Sequence, residues 1–238
     1  MKNLLLAVLA LSLAAPALAK PPMPTPPVFP DTLAKIGLPL DMELLKAGDL
    51  QISVEEFSTG GEGARKRVVG VVLVDAPPDI VWKVLLDWES MPEFVPNLKS
   101  YTIVHQFPDP ANPENTQKLI AGKIKVLFFT IGYTMDVLFD PANFRQEWRL
   151  VSDEDAAAYR ENGIQAVDPV FGLKSVEGFE YIEPFDNGGK TLYYYSPVIE
   201  SSIPVPGFIE RAMAKSSLRG YMKGIKEKAE RLCPFDRK

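Results

Sequence analysis

Residues 206–232 carry Phe208, Ala212, Leu218, Met222, Ile225, Ala229 and Leu232 at spacings that return to one side of a helix. A helix that long, with one apolar stripe, has to bury the stripe against another layer. What precedes it is strand-forming. β-Branched, aromatic and apolar residues dominate 50–57, 66–74, 98–107, 116–129, 131–139, 144–151, 176–182 and 191–199, with Pro, Gly, Asn or Asp at most boundaries. Two short helical pieces interrupt the strands. Pro77 and Pro78 stop the second strand, Pro78 opens a first helical turn, and Ile80, Val81, Val84 and Leu85 share a face. The second piece, 91–95, is cut by Pro96.

Neighbouring strands joined by short turns make an antiparallel sheet, and helices gathered at its ends make the class α+β. The final stripe then lies across the concave side of the twisted sheet. A curved sheet crossed by one helix rarely fills the space between them, so a cavity is expected there.

The N-terminus predicts export. Lys2, the apolar run Leu4 to Ala15 and the small-residue site Ala17-Leu18-Ala19 form a secretory leader. The apolar run is too short to cross a bilayer, which takes roughly 20 residues. The expected organisation is a signal peptide at 1–19, a proline-rich linker at 20–31, a helical segment at 32–49 broken at Pro39, and a ligand-binding domain at 50–233. The expected location is the periplasm or outside the cell. Cys233, the single cysteine, cannot close an internal disulfide and is expected to be a free thiol.

A net charge of −5 without a large basic cluster argues against nucleic acid as a partner. Arg65-Lys66-Arg67 is the most basic spot and reads as a solvated loop edge. His105 is the sole histidine, which removes a histidine-rich metal site, and its flanks place it on the surface at a strand end. Asp153-Glu154-Asp155 reads as a solvated helix start, with acids near the N-terminus. No phosphate-binding glycine loop and no Gly-x-Ser-x-Gly turn occur. No catalytic residue, metal ligand or cofactor is therefore assigned. Asp136 and Tyr133 are the best acid and phenol on offer. Alternation places Asp136 with Thr134 on the face away from Tyr133, Met135, Val137 and Phe139, where it is expected to meet water.

Alternation sorts the other strands too. Ile120, Gly122, Ile124 and Val126 share a face. So do Phe144, Gln146, Trp148 and Leu150, with Arg145, Glu147 and Arg149 opposite. Tyr193 and Tyr195 alternate with Tyr194, and one of these two sets points inward. The candidate ligand-binding residues are Ile120, Ile124, Tyr133, Met135, Val137, Trp148, Leu150, Tyr193, Tyr195 and Met222. Any one of them alone is equally explained by a packed core; together they make a large apolar, aromatic wall. The segment 156–173, with Gly163, Pro169 and Gly172, is expected to be a loop that gates the site.

The stretch from Val74 to Asn97 carries Ala76-Pro77, Val81-Trp82, Val84-Leu85, Asp87 and Pro92-Glu93-Phe94-Val95-Pro96. It resembles the N-terminal signature of the START-like, helix-grip superfamily, in its polyketide cyclase, dehydrase and coenzyme Q-binding group. Gly178 with Pro184, Gly189 to Tyr195, and Pro204 to Phe208 resemble the last two strands of that superfamily and the approach to its final helix. The resemblance spans about Leu50 to Leu232 and implies a curved sheet wrapped on a long C-terminal helix. It implies a binding or carrier protein for a hydrophobic molecule such as a lipid, a sterol-like terpenoid or a quinone, which the leader is expected to export. A monomer is expected, with at most transient contact with a membrane or transporter. Two alternatives stay open. One is a cyclase or dehydratase of polyketide-like substrates, and the other an adaptor that offers its convex sheet to another protein. The residues that carry the resemblance pack and turn the chain, and none is catalytic.

Overall fold

The computed structural model describes residues 21–24, 38–59, 62–108, 116–126, 129–168, 173–201 and 207–233. The leader expected at 1–19, most of the linker and residues 32–37 lie outside them. Among the described residues no helix is long and apolar enough to cross a membrane.

A short helix α1 (Met42–Lys46) is capped by the Asp41 side chain, which accepts from the Leu44 N–H at 3.0 Å. Strands β1 (Gln51–Thr59) and β2 (Glu62–Val74) follow, then helix α2 (Pro78–Leu86). Pro77 is extended and Pro78 fills the first turn, where a missing N–H costs nothing. The piece expected at 91–95 is a 3-10 turn over Trp88–Glu93, because Pro92 inside it removes a donor that an α-helix needs. Then come β3 (Leu98–Pro108), β4 (Thr116–Val126), β5 (Phe129–Asp140), β6 (Arg145–Leu150), helix α3 (Asp153–Glu161), β7 (Leu173–Phe185), β8 (Lys190–Ser201) and the long helix α4 (Gly207–Leu232).

The eight strands form one antiparallel sheet in the order β1-β2-β8-β7-β6-β5-β4-β3. Pairing of β2 with β8, Gly70 opposite Tyr195, joins the two ends of the chain. α2 and the 3-10 turn carry the chain across to β3 at the far edge, and α4 returns over the concave side. Leu218, Met222, Ile225 and Ala229 are the buried stripe of α4. Two glycines in α4 weaken it as a helix by about 1 kcal/mol each relative to alanine. They sit where it presses on the segment after the 3-10 turn: a Cβ at Gly224 would lie 2.4 Å from the Phe94 carbonyl oxygen, and one at Gly220 3.3 Å from Pro96. The C-terminal half of α4 is tied to the end of β2. Lys226 donates to the Leu73 carbonyl, and Glu230 accepts from the Asp75 N–H at 2.9 Å.

The main core lies between the sheet and α4, with α2 closing one end. Two smaller clusters cover the convex side. Leu45 of α1 packs on Val69, Val71, Leu73, Phe179, Tyr181, Leu192 and Tyr194. Arg67, expected at a loop edge, instead lies within β2 with its guanidinium 5.0 Å from the centre of the Phe179 ring. The other cluster corrects the expectation of a gating loop over 156–168, while residues 169–172 of that expected gate lie outside the described ones. The acidic run does start a helix, α3, whose Ser152 cap accepts from the Asp155 N–H at 3.1 Å. Ala156 and Tyr159 of α3, with Ile164 and Ala166, pack on Leu119 and Val151 of the outer face. Thr134 exchanges hydrogen bonds with the Val167 backbone at 2.7 and 3.0 Å, which fastens this segment to β5. Thr134 and Asp136, expected in water, are accordingly 0% and 2% exposed.

Candidate functional site

The ten candidate residues all lie on the concave side. Ile120, Tyr133, Met135, Val137, Trp148, Tyr193 and Met222 are buried members of the main core, and Ile124, Leu150 and Tyr195 pack against it half-buried. Strand register sets their neighbours. Ile120, Met135 and Leu150 form one row across β4, β5 and β6, and Val137, Trp148 and Gly178 form the next across β5, β6 and β7. On β8 the inward pair is Tyr193 and Tyr195, while Tyr194 stacks on Tyr181 at 4.4 Å on the convex side. α2 closes one end of this face. At the opposite end the same face exposes apolar surface: Val54 and Ile199, placed there by pairing with Val68 and Val176, are 59% and 57% exposed.

The centre of this face is polar, which the sequence reading missed. Glu180, on β7 between Gly178 and Ile182, is 0% exposed. The Tyr193 hydroxyl and Gln146 Nε2 both donate to it, and the Tyr221 hydroxyl of α4 donates at 3.3 Å. Gln146 is in turn held by the Trp88 indole N–H at 3.1 Å and donates to the Leu85 carbonyl at 3.3 Å. Alternation puts Glu180 on one face with Val176, Gly178 and Ile182. A charged residue in an apolar register was the available signal.

Burial pushes the Glu180 carboxyl up to about 7, against the hydrogen bonds from Tyr193, Gln146 and Tyr221 that favour its ionised form. Burial also holds the phenols of Tyr101, Tyr193 and Tyr221 well above their ordinary value, and raises those of Tyr133 and Tyr195. The phenols thus remain neutral and able to donate. Tyr101 and Tyr133 share a hydrogen bond of 3.2 Å. Tyr195 is stacked between Trp148 at 5.5 Å and Tyr221 at 4.5 Å. The result is an apolar, aromatic wall with a cluster of neutral phenols anchored on a buried acid. Such a surface suits a hydrophobic body carrying one or two oxygen atoms. Glu180 is fully buried, and Tyr221, which is half-buried, is the least buried of its three hydrogen-bond partners.

Asp136, the acid favoured from sequence, lies on the other side of the sheet beneath α3. Burial raises its carboxyl to about 6, opposed by a hydrogen bond with Gln117 and the charge of Arg149, and its Oδ1 has no partner. Glu147 is also on the convex side, 7% exposed and paired with Arg145 at 2.7 Å. The convex face that an adaptor would present is thus occupied over much of its area by α1 and α3. His105 is half-buried on β3, its ring 4.4 Å from that of Phe107. Cys233 is a half-buried free thiol at the end of α4.

Residues 65–232 match the family described as polyketide cyclase/dehydrase and lipid transport, and the chain belongs to it. No curated protein matches the sequence significantly. Among solved structures, a fragment of the STAR-related lipid transfer protein of Xanthomonas axonopodis is similar at 13% identity, over 75% of this chain and 93% of that one, with a TM-score of 0.53. The Zhui aromatase/cyclase of Streptomyces sp. R1128 is similar at 14% identity, over 76% and 95%, with a TM-score of 0.52. A START superfamily protein of Mycobacterium smegmatis is similar at 18% identity, over 70% and 98%, with a TM-score of 0.52. Identities this low speak for the fold, which is the START-like helix grip. The family brings together hydrophobic-ligand binding, lipid transport and polyketide cyclisation.

Proposed function

We propose that this protein binds and carries a hydrophobic molecule with an oxygen-bearing polar group, such as a lipid, a sterol-like terpenoid or a quinone. Its apolar body lies along Ile120, Ile124, Met135, Val137, Trp148 and Leu150, and its polar group meets the phenol cluster. One observation carries this reading. The concave face joins a wall of apolar and aromatic side chains to a few convergent phenols, Tyr193 and Tyr221 on Glu180 and Tyr101 on Tyr133, which is the make-up of a small-molecule site. The leader sequence supports action in the periplasm or outside the cell, and N-terminal sequencing of the mature protein tests that placement.

The binding test titrates cis-parinaric acid and dehydroergosterol into the wild-type protein and two variants. Saturable binding is expected, with strong loss in Met135→Asp, because a charge in an apolar cavity carries a desolvation cost of several kcal/mol. Lys123→Glu, on an exposed position of β4, is expected to leave binding unchanged. No saturable binding by the wild-type protein, or equal loss in both folded variants, refutes the proposal.

A second reading rests on Glu180. A carboxyl that titrates near neutrality next to phenols can take part in proton transfer of the kind a cyclase or dehydratase needs. Its full burial favours the carrier, since an acid without exposed surface is poorly placed to meet a substrate. If the enzyme reading is right, Glu180→Gln abolishes turnover of a polyketide-like substrate while probe binding persists.

A further inference from the structure

Glu180 puts an acid of the protein's own at the centre of the concave face. Phe139, Gln146, Glu180 and Tyr195 oppose one another in a single row across β5, β6, β7 and β8. Two of the groups bonded to the acid are fully engaged. The Gln146 amide donates to Glu180 and to the Leu85 carbonyl while its oxygen accepts from the Trp88 indole, and the Tyr193 hydroxyl donates to the second Glu180 oxygen. Both side chains are fully buried. The phenols with surface to offer a ligand are the half-buried Tyr101, Tyr195 and Tyr221.

Each of these three stands in the field of the acid. Burial first, and then the Glu180 charge together with neighbouring phenols, hold their protons more tightly than usual. Tyr221 meets the acid directly, its hydroxyl 3.3 and 3.4 Å from the two carboxyl oxygens.

No cation among the described residues is bonded to Glu180. Its partners from β6, β8 and α4 are the uncharged Gln146, Tyr193 and Tyr221. Tyr101 of β3, Tyr133 of β5 and Trp88 of the 3-10 turn extend the same neutral cluster, and α2 adds only the Leu85 carbonyl. Lys118 of β4 shares the inward register opposite Val137, but its ammonium lies 4.7 Å from the centre of the Phe139 ring, and the charge that acts on it is that of Glu89. On α4, Lys226 turns to Glu230 and the Leu73 carbonyl, and Lys228 to Glu93.

We infer that, because Glu180 already fills its polar centre with an acid, the site takes an uncharged head group such as a ketone, quinone, ester or alcohol and turns away an ionised carboxylate. The inference rests on the binding function proposed above. A carboxylate beside Tyr221 and Tyr195 sets a second negative charge next to Glu180 where water screens it little, and two carboxyl groups so placed keep at least one proton between them. A neutral oxygen accepts from a phenol without that penalty. A fatty acid therefore enters only with its proton on.

cis-Parinaric acid and its methyl ester share one fluorescent chain and differ in the charge of the head. Both are titrated into the wild-type protein between pH 5.5 and 8. A site that admits only the protonated acid loses about tenfold in apparent affinity for each pH unit above the free acid's pKa of about 4.5. The acid is expected to weaken by about a hundredfold across the range and the ester to stay within about threefold. Glu180→Gln removes the charge and keeps the shape, and it is expected to recover about tenfold of the acid's affinity at pH 8 with the ester unchanged. Acid and ester that bind alike at pH 5.5 and at pH 8 overturn the inference from the wild-type protein alone. So does a folded Glu180→Gln that binds the acid at pH 8 no better than wild type. Saturation by neither probe at any pH refutes the carrier function itself, a result distinct from binding of both without regard to pH.

Discussion

The indole of Trp148 occupies the space that a side chain at Gly178 would need. A Cβ at that position would lie 2.5 Å from the indole and 2.6 Å from the Ser196 carbonyl oxygen. In an ordinary strand, alanine is preferred to glycine by roughly 0.5 to 1 kcal/mol. Here the order reverses, because the indole is stacked on Tyr195 and the carbonyl belongs to the sheet. Gly178→Ala is expected to lose about 1 to 3 kcal/mol of stability in urea unfolding, with a change in tryptophan fluorescence. A variant as stable as wild type would mean that Trp148 does not rest on Gly178.

Glu180 predicts a pH dependence whose sign follows from where the proton sits. The carboxyl titrates near 4.5 when free and near 7 when buried. Between those values the folded protein keeps a proton that the unfolded chain releases, so raising the pH favours unfolding. Stability is expected to fall by up to about 3 kcal/mol from pH 4.5 to above pH 7, and Glu180→Gln should remove that fall. A smaller decline from Asp136, between 3.8 and about 6, should survive in the variant and vanish in Asp136→Asn. Urea unfolding across this range checks both, and a wild-type stability that rises with pH relative to Glu180→Gln would show that Glu180 is ionised in the fold.

Trp82 anchors α2 in the closed end of the grip. It is 7% exposed and meets Phe144 edge-on, with ring centres 5.9 Å apart. Trp82→Ala is expected to cost about 3 to 5 kcal/mol through the cavity it leaves. Calorimetry or urea unfolding measures the loss, and a value under about 1 kcal/mol would show that α2 docks without it.

The two faces of every inward strand were legible in the sequence. A period of two residues in the backbone sets which side chains share a face whatever the strands pair with. Met135 and Val137 separate from Thr134 and Asp136 on that ground alone, and the stripe of α4 follows in the same way from its helical period. What lies over a face is a different matter. Asp136 alternates outward as expected, yet it is buried, because α3 folds back onto β5. That helix was read as a loop beyond its acidic start, since Gly163 and Pro169 follow so closely.

Glu180 shows the same division. That it shares a face with Val176, Gly178 and Ile182 follows from alternation along one strand. Its burial and its raised proton affinity come from Gln146, Tyr193 and Tyr221, on β6, β8 and α4. The sequence by itself determined which side chains of a strand share a face, because alternation is a property of one strand's backbone; which face of β8 turns inward it left open. Burial and proton affinity were decided by the tertiary structure alone, because each depends on which distant elements arrive at the same place.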